Sequence, residues 1–278
     1  MRRVYLVAVL VIVSMVCFSQ AKLVTKSKKS PPIDLAKFAL VEGGGYTMGS
    51  NTATEPNQKP EHQVSVRDFY IAKSELTFEE YDVFCDSTKR PRVGDMNWGR
   101  GKHPAIIVSW YDAVEYCNWL SKRDKLQPAY ITKGLEVWWI DTAYGYRLLT
   151  EAEWEYAAKG GKLSKGTKYA GSDKLETVAW FATNSDNKTQ ATAQKTANEL
   201  GLYDMCGNVW EWVWDGYGGD YYKVSPANNP TGLAAGPYRS MRGGAWYNNA
   251  EYVTPTARQY HSPDFRQNSL GFRIGRNK

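Results

Sequence analysis

The closing stretch of the chain constrains it most. Two short glycine-bearing motifs, RGGAW at 242–246 and LGFR at 270–273, enclose a segment crowded with Tyr, Asn, His, Ser, Asp and Phe. The ends read as framework, because paired glycines permit positive φ or close backbone packing. They also fit strand signals at 240–246 and 271–274. Matching strand signals lie near the front of the chain, at 38–48 and 62–71. Strands at both ends, with helices and long irregular segments between them, predict an α+β domain whose termini meet in one sheet.

Three helices are legible between those ends. Thr77 with Glu80 has capping-box spacing and opens a helix that places Phe78, Tyr81, Val83 and Phe84 around an amphipathic surface. A second begins at Ser109 and sets Trp110, Val114, Cys117 and Leu120 on its inner face, while Thr150 and Glu153 cap a short third that runs to Ala158. In GNVWEW (207–212), Gly207 permits a tight turn, and an extended backbone throws Trp210 and Trp212 to one side. Rings of that size on one face read as core rather than as a ligand cage. Arg147 with Glu153 or Glu155 likewise reads as a buried structural pair rather than as catalytic machinery.

The N-terminus speaks to compartment. Arg2 and Arg3 precede an apolar run at 4–16 that is short for a bilayer and shaped like a signal peptide, giving a leader at 1–21. Two processing routes stay open. Small residues at Ser19-Gln20-Ala21 suit ordinary cleavage and a periplasmic or secreted product. Cys17 suits a lipoprotein signal at 1–16, whose diacyl group would anchor the chain on the outer membrane or cell surface. Lysines, serines and two prolines make 22–34 a solvated tether, and 35–278 shows neither a second linker nor a fixed-period repeat. Part of the net charge of +6 sits in the leader and tether, and the remaining basic residues are scattered. Together with export, this argues against a nucleic-acid partner. Beyond Cys17 the cysteines are Cys85, Cys117 and Cys206, an odd number without metal-ligand spacing, which argues against zinc and allows one disulfide at most.

The motifs run in a family order: VEGG (41–44) to MGS (48–50), FYI (69–71) to ELT (75–77), HP (103–104) to VSW (108–110), YRLLTEAEWEYA (146–157), NELGLYDM (198–205), GNVWEW, RGGAW and LGFR. This series resembles the formylglycine-generating-enzyme (sulfatase-modifying-factor) family over nearly the whole mature chain, and so implies a single C-type-lectin-like domain. The family's oxidase chemistry uses two cysteines after RGG, whose soft thiolates hold copper. Ungapped alignment from RGGAW puts Asn248 and Val253 at those positions, and His62, His103 and His261 offer no replacement triad. The resemblance therefore implies the scaffold without a catalytic residue or a required cofactor, leaving a copper-dependent formylglycine-forming oxidase as the disfavoured alternative. It also implies structural calcium, expected near Asn184 and Asn198, where amide and carbonyl oxygens are hard donors. Glu55-Pro56-Asn57 copies a tripeptide of calcium-dependent carbohydrate lectins, a further alternative, but sits in an early loop without a Trp-Asn-Asp partner.

Between the framework motifs, Tyr247, Asn248, Asn249, Tyr252, Tyr260, His261, Ser262, Asp264, Phe265, Asn268 and Ser269 are all reachable from an asparagine codon by changing its adenines. Arg258, Pro263, Arg266, Gly271 and Phe272 punctuate them as framework, and Glu251, Gln259 and Gln267, which depart from the codon set, are grouped with the framework. The pattern resembles the variable region, here about 242–276, of diversity-generating-retroelement proteins. That resemblance implies a surface-displayed protein binding a variable external ligand, either a protein or another cell-surface molecule, with Trp246 as the floor of the site. Tyr offers wide contact area at low entropic cost and Asn, Ser and His adaptable hydrogen bonds, as in antibody loops.

Overall fold

The computed structural model describes residues 33–278. The leader with Cys17, and most of the tether, lie outside the described residues.

The first and last strands share a sheet, as the strand signals predict. Strand β1 (Phe38–Val41) pairs antiparallel with β4 (Phe69–Ala72), which pairs on its other side with β12 (Ile274–Asn277), and β12 in turn pairs with β7 (Tyr146–Leu148). A hairpin of β2 (Gly44–Met48) and β3 (His62–Val66) separates β1 from β4 in the chain, and a second hairpin joins β5 (Tyr130–Lys133) to β6 (Glu136–Trp139). The other four-stranded sheet has the order β10 (Arg258–His261), β9 (Arg239–Arg242), β8 (Trp210–Gly216) and β11 (Leu270–Phe272), with β11 parallel to β8. Only Arg273 separates β11 from β12, so the chain passes from one sheet to the other at that residue.

Helices α1 (Phe78–Thr88), α2 (Trp110–Arg123) and α3 (Glu151–Ala158) all begin in complete capping boxes, at Thr77, Ser109 and Thr150. Each hydroxyl accepts a backbone N–H of the first turn, satisfying a donor the helix leaves orphaned. Trp110, Val114, Cys117 and Leu120 are buried as expected, but Val83 is 49% exposed and lies on the solvent face of α1. The strand expected at 240–246 ends at Arg242, because Gly243 and Gly244 take φ of 99° and 79° and turn the chain out of the ladder. A Cβ on Gly244 would come within 2.4 Å of the Tyr252 carbonyl oxygen, so the second glycine is also required by close approach.

Trp210 and Trp212 are core, and the Trp212 indole donates to the Val108 carbonyl at 3.0 Å. The framework is then tied together by buried ion pairs. Arg147 forks onto Glu153 with both contacts at 2.7 Å. On α3, Glu151 receives Arg258, and Glu155 receives Arg242 and Lys159. Arg273 forks onto Glu211 of β8, whose carboxylate also accepts the Trp154 indole N–H at 2.7 Å. Each charge is stripped of water and balanced by its partner, so losing one member costs far more than a surface pair would. All eight residues of α3 are buried, and the helix serves as the anchor for the arginines of the closing segment.

Candidate functional site

Strand β10 is an edge strand paired to β9 in the register Gln259 to Met241 and Tyr260 to Ser240. Period-two alternation sends Arg258 into the ion-pair core and puts Gln259 and His261 on the opposite face. There a cavity of about 240 Å3 opens, lined by Trp210, Met241, Tyr247, Asn248, Gln259, Tyr260, His261, Phe265, Gln267 and Leu270. Its buried apolar members are Trp210, Met241 and Leu270, framework residues of three strands. They form the floor in place of Trp246, which instead packs edge-on against Trp98 at 5.2 Å and donates its indole N–H to the Asn268 carbonyl.

Five of the expected contact residues, Tyr247, Asn248, Tyr260, His261 and Phe265, line this cavity together. The His261 and Phe265 rings stack at 3.3 Å. The Ser262 N–H donates to His261 Nδ1 at 2.9 Å, which leaves the ring proton on Nε2, and burial pushes the imidazole pKa below its ordinary value. Ser262 and Asn268 are half-buried beside the cavity residues in sequence, and Asp264 is exposed, its carboxyl held low by the neighbouring Ser262 hydroxyl.

The remaining expected residues fall elsewhere. Asn249 is exposed outside the cavity, and Tyr252, also outside it, donates its hydroxyl to Glu55 at 3.3 Å. Ser269 is fully buried, and its carbonyl accepts the Trp210 N–H, so its side chain cannot meet a ligand. Asn248 also has a structural role, since its side-chain oxygen accepts the Ala245 N–H at 2.9 Å and holds the turn after the glycines.

Backbone bonds from outside the segment fix its course. Trp110 N–H donates to the Pro263 carbonyl, Ile107 N–H to Gln267, Ala182 N–H to Asn248, and the Ser185 hydroxyl to Trp246. Arg266 donates to the Ile107 carbonyl and pairs with Asp112 at the start of α2. None of these bonds uses the side chain of a surface residue at a codon-set position.

Gln259 and Gln267, expected to be framework, belong to the cavity; the alternation of β10 is the signal that places Gln259 beside His261. Tyr217 and Tyr238 carry no such signal. Tyr260 stacks on Tyr217 at 4.0 Å and meets Tyr238 at 5.0 Å, and Tyr238 is 42% exposed. The Tyr217 hydroxyl is held in turn by the Asn57 amide at 3.1 Å. Glu55 and Asn57 thus brace the closing segment.

Copper does not fit here. Val253 is a fully buried aliphatic side chain and the Asn248 oxygen is engaged with Ala245. Cys85, Cys117 and Cys206 are free and buried, on α1, on α2 and before β8. Burial pushes all three thiols up, Cys206 to about 12, away from the thiolate copper needs. The expected calcium donors are also engaged. Asn198 Oδ1 accepts the N–H groups of Leu200 and Leu202 while its amide donates to the Ala157 carbonyl, and Asn184 Oδ1 accepts the Phe181 N–H. Among the described residues, no three His, Cys, Asp or Glu side chains are grouped to hold a metal.

Two sheets bridged by a crossing final strand, with a side-chain cavity at one edge, define a C-type-lectin-like scaffold with a candidate contact site. The chain belongs to the sulfatase-modifying factor enzyme 1-like domain family, whose model matches residues 22–278. It is 32% identical over 267 residues to chaperone protein LppX of Paenibacillus barcinonensis, covering 84% of this chain and 85% of that protein. It is 29% identical to serine/threonine-protein kinase pkn1 of Chlamydia pneumoniae over 91% of itself, but spans only 40% of that protein's length. Among solved structures, Treponema denticola variable protein 1 superposes with a TM-score of 0.75 at 29% identity, covering 87% of this chain and 95% of the other.

Proposed function

We propose that this chain is an exported, non-enzymatic ligand-binding protein whose C-terminal region, about 242–276, is diversified by a retroelement at its contact positions. On this reading Cys17 carries the lipid that displays it on the outer membrane, and ordinary cleavage after Ala21 is the alternative. One observation carries the proposal: five residues reachable from an asparagine codon line a single cavity, while the backbone around them is held by framework groups, with Asn248 the one codon-set side chain that also braces it. Such an arrangement lets the contact chemistry change at constant backbone, and a rigid surface loses little entropy on binding. The likeness to Treponema denticola variable protein 1 supports the same reading. The oxidase alternative is weakened by Val253 and Asn248, which leave copper without ligands.

The test is genetic. DNA flanking the gene is expected to encode a reverse transcriptase and a near-copy of the final coding segment, with differences confined to adenines. Independent isolates are expected to differ at positions such as 247, 260 and 265 and not at 258 or 273. A flanking region lacking both elements, with an invariant segment among isolates, overturns the proposal. Palmitate labelling that is lost in Cys17→Ala tests the anchor separately.

A further inference from the structure

We infer that the cavity receives one uncharged aromatic side chain from a protein partner, whose surface then lies across a fixed tyrosine ledge. The inference rests on the cavity being the binding site, as proposed above, and adds what enters it. At about 240 Å3 the cavity falls below the roughly 300–1,000 Å3 of sites that engulf a small molecule. It suits a single anchoring side chain of the kind that dominates protein interfaces.

The lining chooses among side chains. None of the ten lining residues is a carboxylate, a lysine or an arginine, and the His261 ring is neutral in this geometry because its Nδ1 accepts a backbone N–H. A charged guest would therefore be desolvated without a partner. Trp210, Tyr247 and the stacked His261 and Phe265 offer ring faces and edges, and Met241 a polarisable sulfur, which together favour an aromatic guest over an aliphatic one.

The ledge argues for a partner larger than the cavity. Tyr217 and Tyr238 lie outside the segment 242–276 yet pack directly on Tyr260, and Tyr238 presents its ring to solvent. The Tyr260 ring projects from the face of β10 opposite Gln259 and His261, so a partner that seats in the cavity and laps over the free edge of β10 meets an aromatic surface that does not change when the segment does. Its contribution is common to every variant, and the cavity supplies the discrimination.

Saturation-transfer NMR on the full mature chain tests this with N-acetyltryptophanamide, N-acetyllysinamide and methyl mannoside. The tryptophan amide alone is expected to bind. Gln259→Trp, which fills the cavity from β10, should weaken it at least about tenfold, and Tyr247→Ala, on an exposed side chain, gives the same direction if the first variant fails to fold. Peptides selected from a random library on the same protein should each depend on one aromatic residue, and Tyr238→Ala should weaken the peptides without affecting the amide. Preferential binding of the lysine amide or the mannoside, or no binding by any probe, overturns the inference. Those failures leave the flanking-DNA result untouched, and an invariant segment that still binds the tryptophan amide would overturn the diversification proposal alone.

Discussion

Arg273 grips Glu211 with two parallel hydrogen bonds of 2.7 Å, both side chains 1% exposed, at the residue where the last strand leaves one sheet for the other. The same guanidinium donates to the carbonyls of Ala72 and Tyr203, so one side chain joins both sheets and the loop before β8. Glu211→Gln keeps the shape and abandons the charge of Arg273. A loss of about 3–5 kcal/mol is expected, lowering the melting temperature by roughly 10 °C in a domain of this size. Thermal unfolding followed by circular dichroism reads this, and a fall under about 3 °C would show that the pair contributes little.

Surface residues of the closing segment should behave oppositely, with one exception. Tyr247 and Tyr260 are 43% and 40% exposed, so alanine at either should leave melting within about 2 °C. Asn249→Ala should do the same, whereas Asn248→Ala strands the Ala245 N–H and is expected to cost about 1 kcal/mol. Equal stability of the two asparagine variants would remove the turn-holding role of Asn248.

Asp204 gives a pH dependence. Burial raises its carboxyl pKa from 3.8 to about 6, with Glu211 adding to the shift and Ala193 N–H, Arg273 and Lys195 opposing it; Glu75 is a further neighbour. Because the folded chain holds this proton more tightly than the unfolded one, the contribution is complete below about pH 4 and is lost as pH rises through about 6. Asp204→Asn should therefore melt higher than wild type by about 2–4 °C near pH 7.5, with the gain vanishing near pH 4. A gain that is the same at both pH values would show that titration is not its source.

Asn198 separates a backbone brace from a calcium ligand. Asn198→Asp gives up the donor to the Ala157 carbonyl and sets a carboxylate against it. A lower melting temperature is expected, equal in millimolar calcium and in chelator. Rescue of the variant by calcium would restore the metal reading.

Local chemistry is legible in the sequence and distant pairing is not. The capping boxes at Thr77 and Thr150 and the pair Arg147 with Glu153 involve neighbours three to six residues apart, where spacing alone sets the geometry. Arg258 and Glu151 lie 107 residues apart, and nothing in either's surroundings names the other. Residue types identify a contact surface without saying which of its members converge. On type alone Ser269 enters the contact set and Gln259 does not, because direction depends on the register of β10 and on where β11 begins. Size alone makes Trp246 a candidate floor, but the space beneath the cavity is already filled by Trp210 from β8.

The crossing of the final strand also sets an order of events in folding. Arg273 reaches back to the Ala72 carbonyl across 201 residues, and β12 fills the gap between β4 and β7. Without that strand β4 and β7 have no shared partner, so the sheet closes only when residues about 200 apart in the chain are brought together, a high-contact-order step of the kind that folds slowly. Every variant of the closing segment must complete the same late step, and a misfolding substitution is exposed at that one moment.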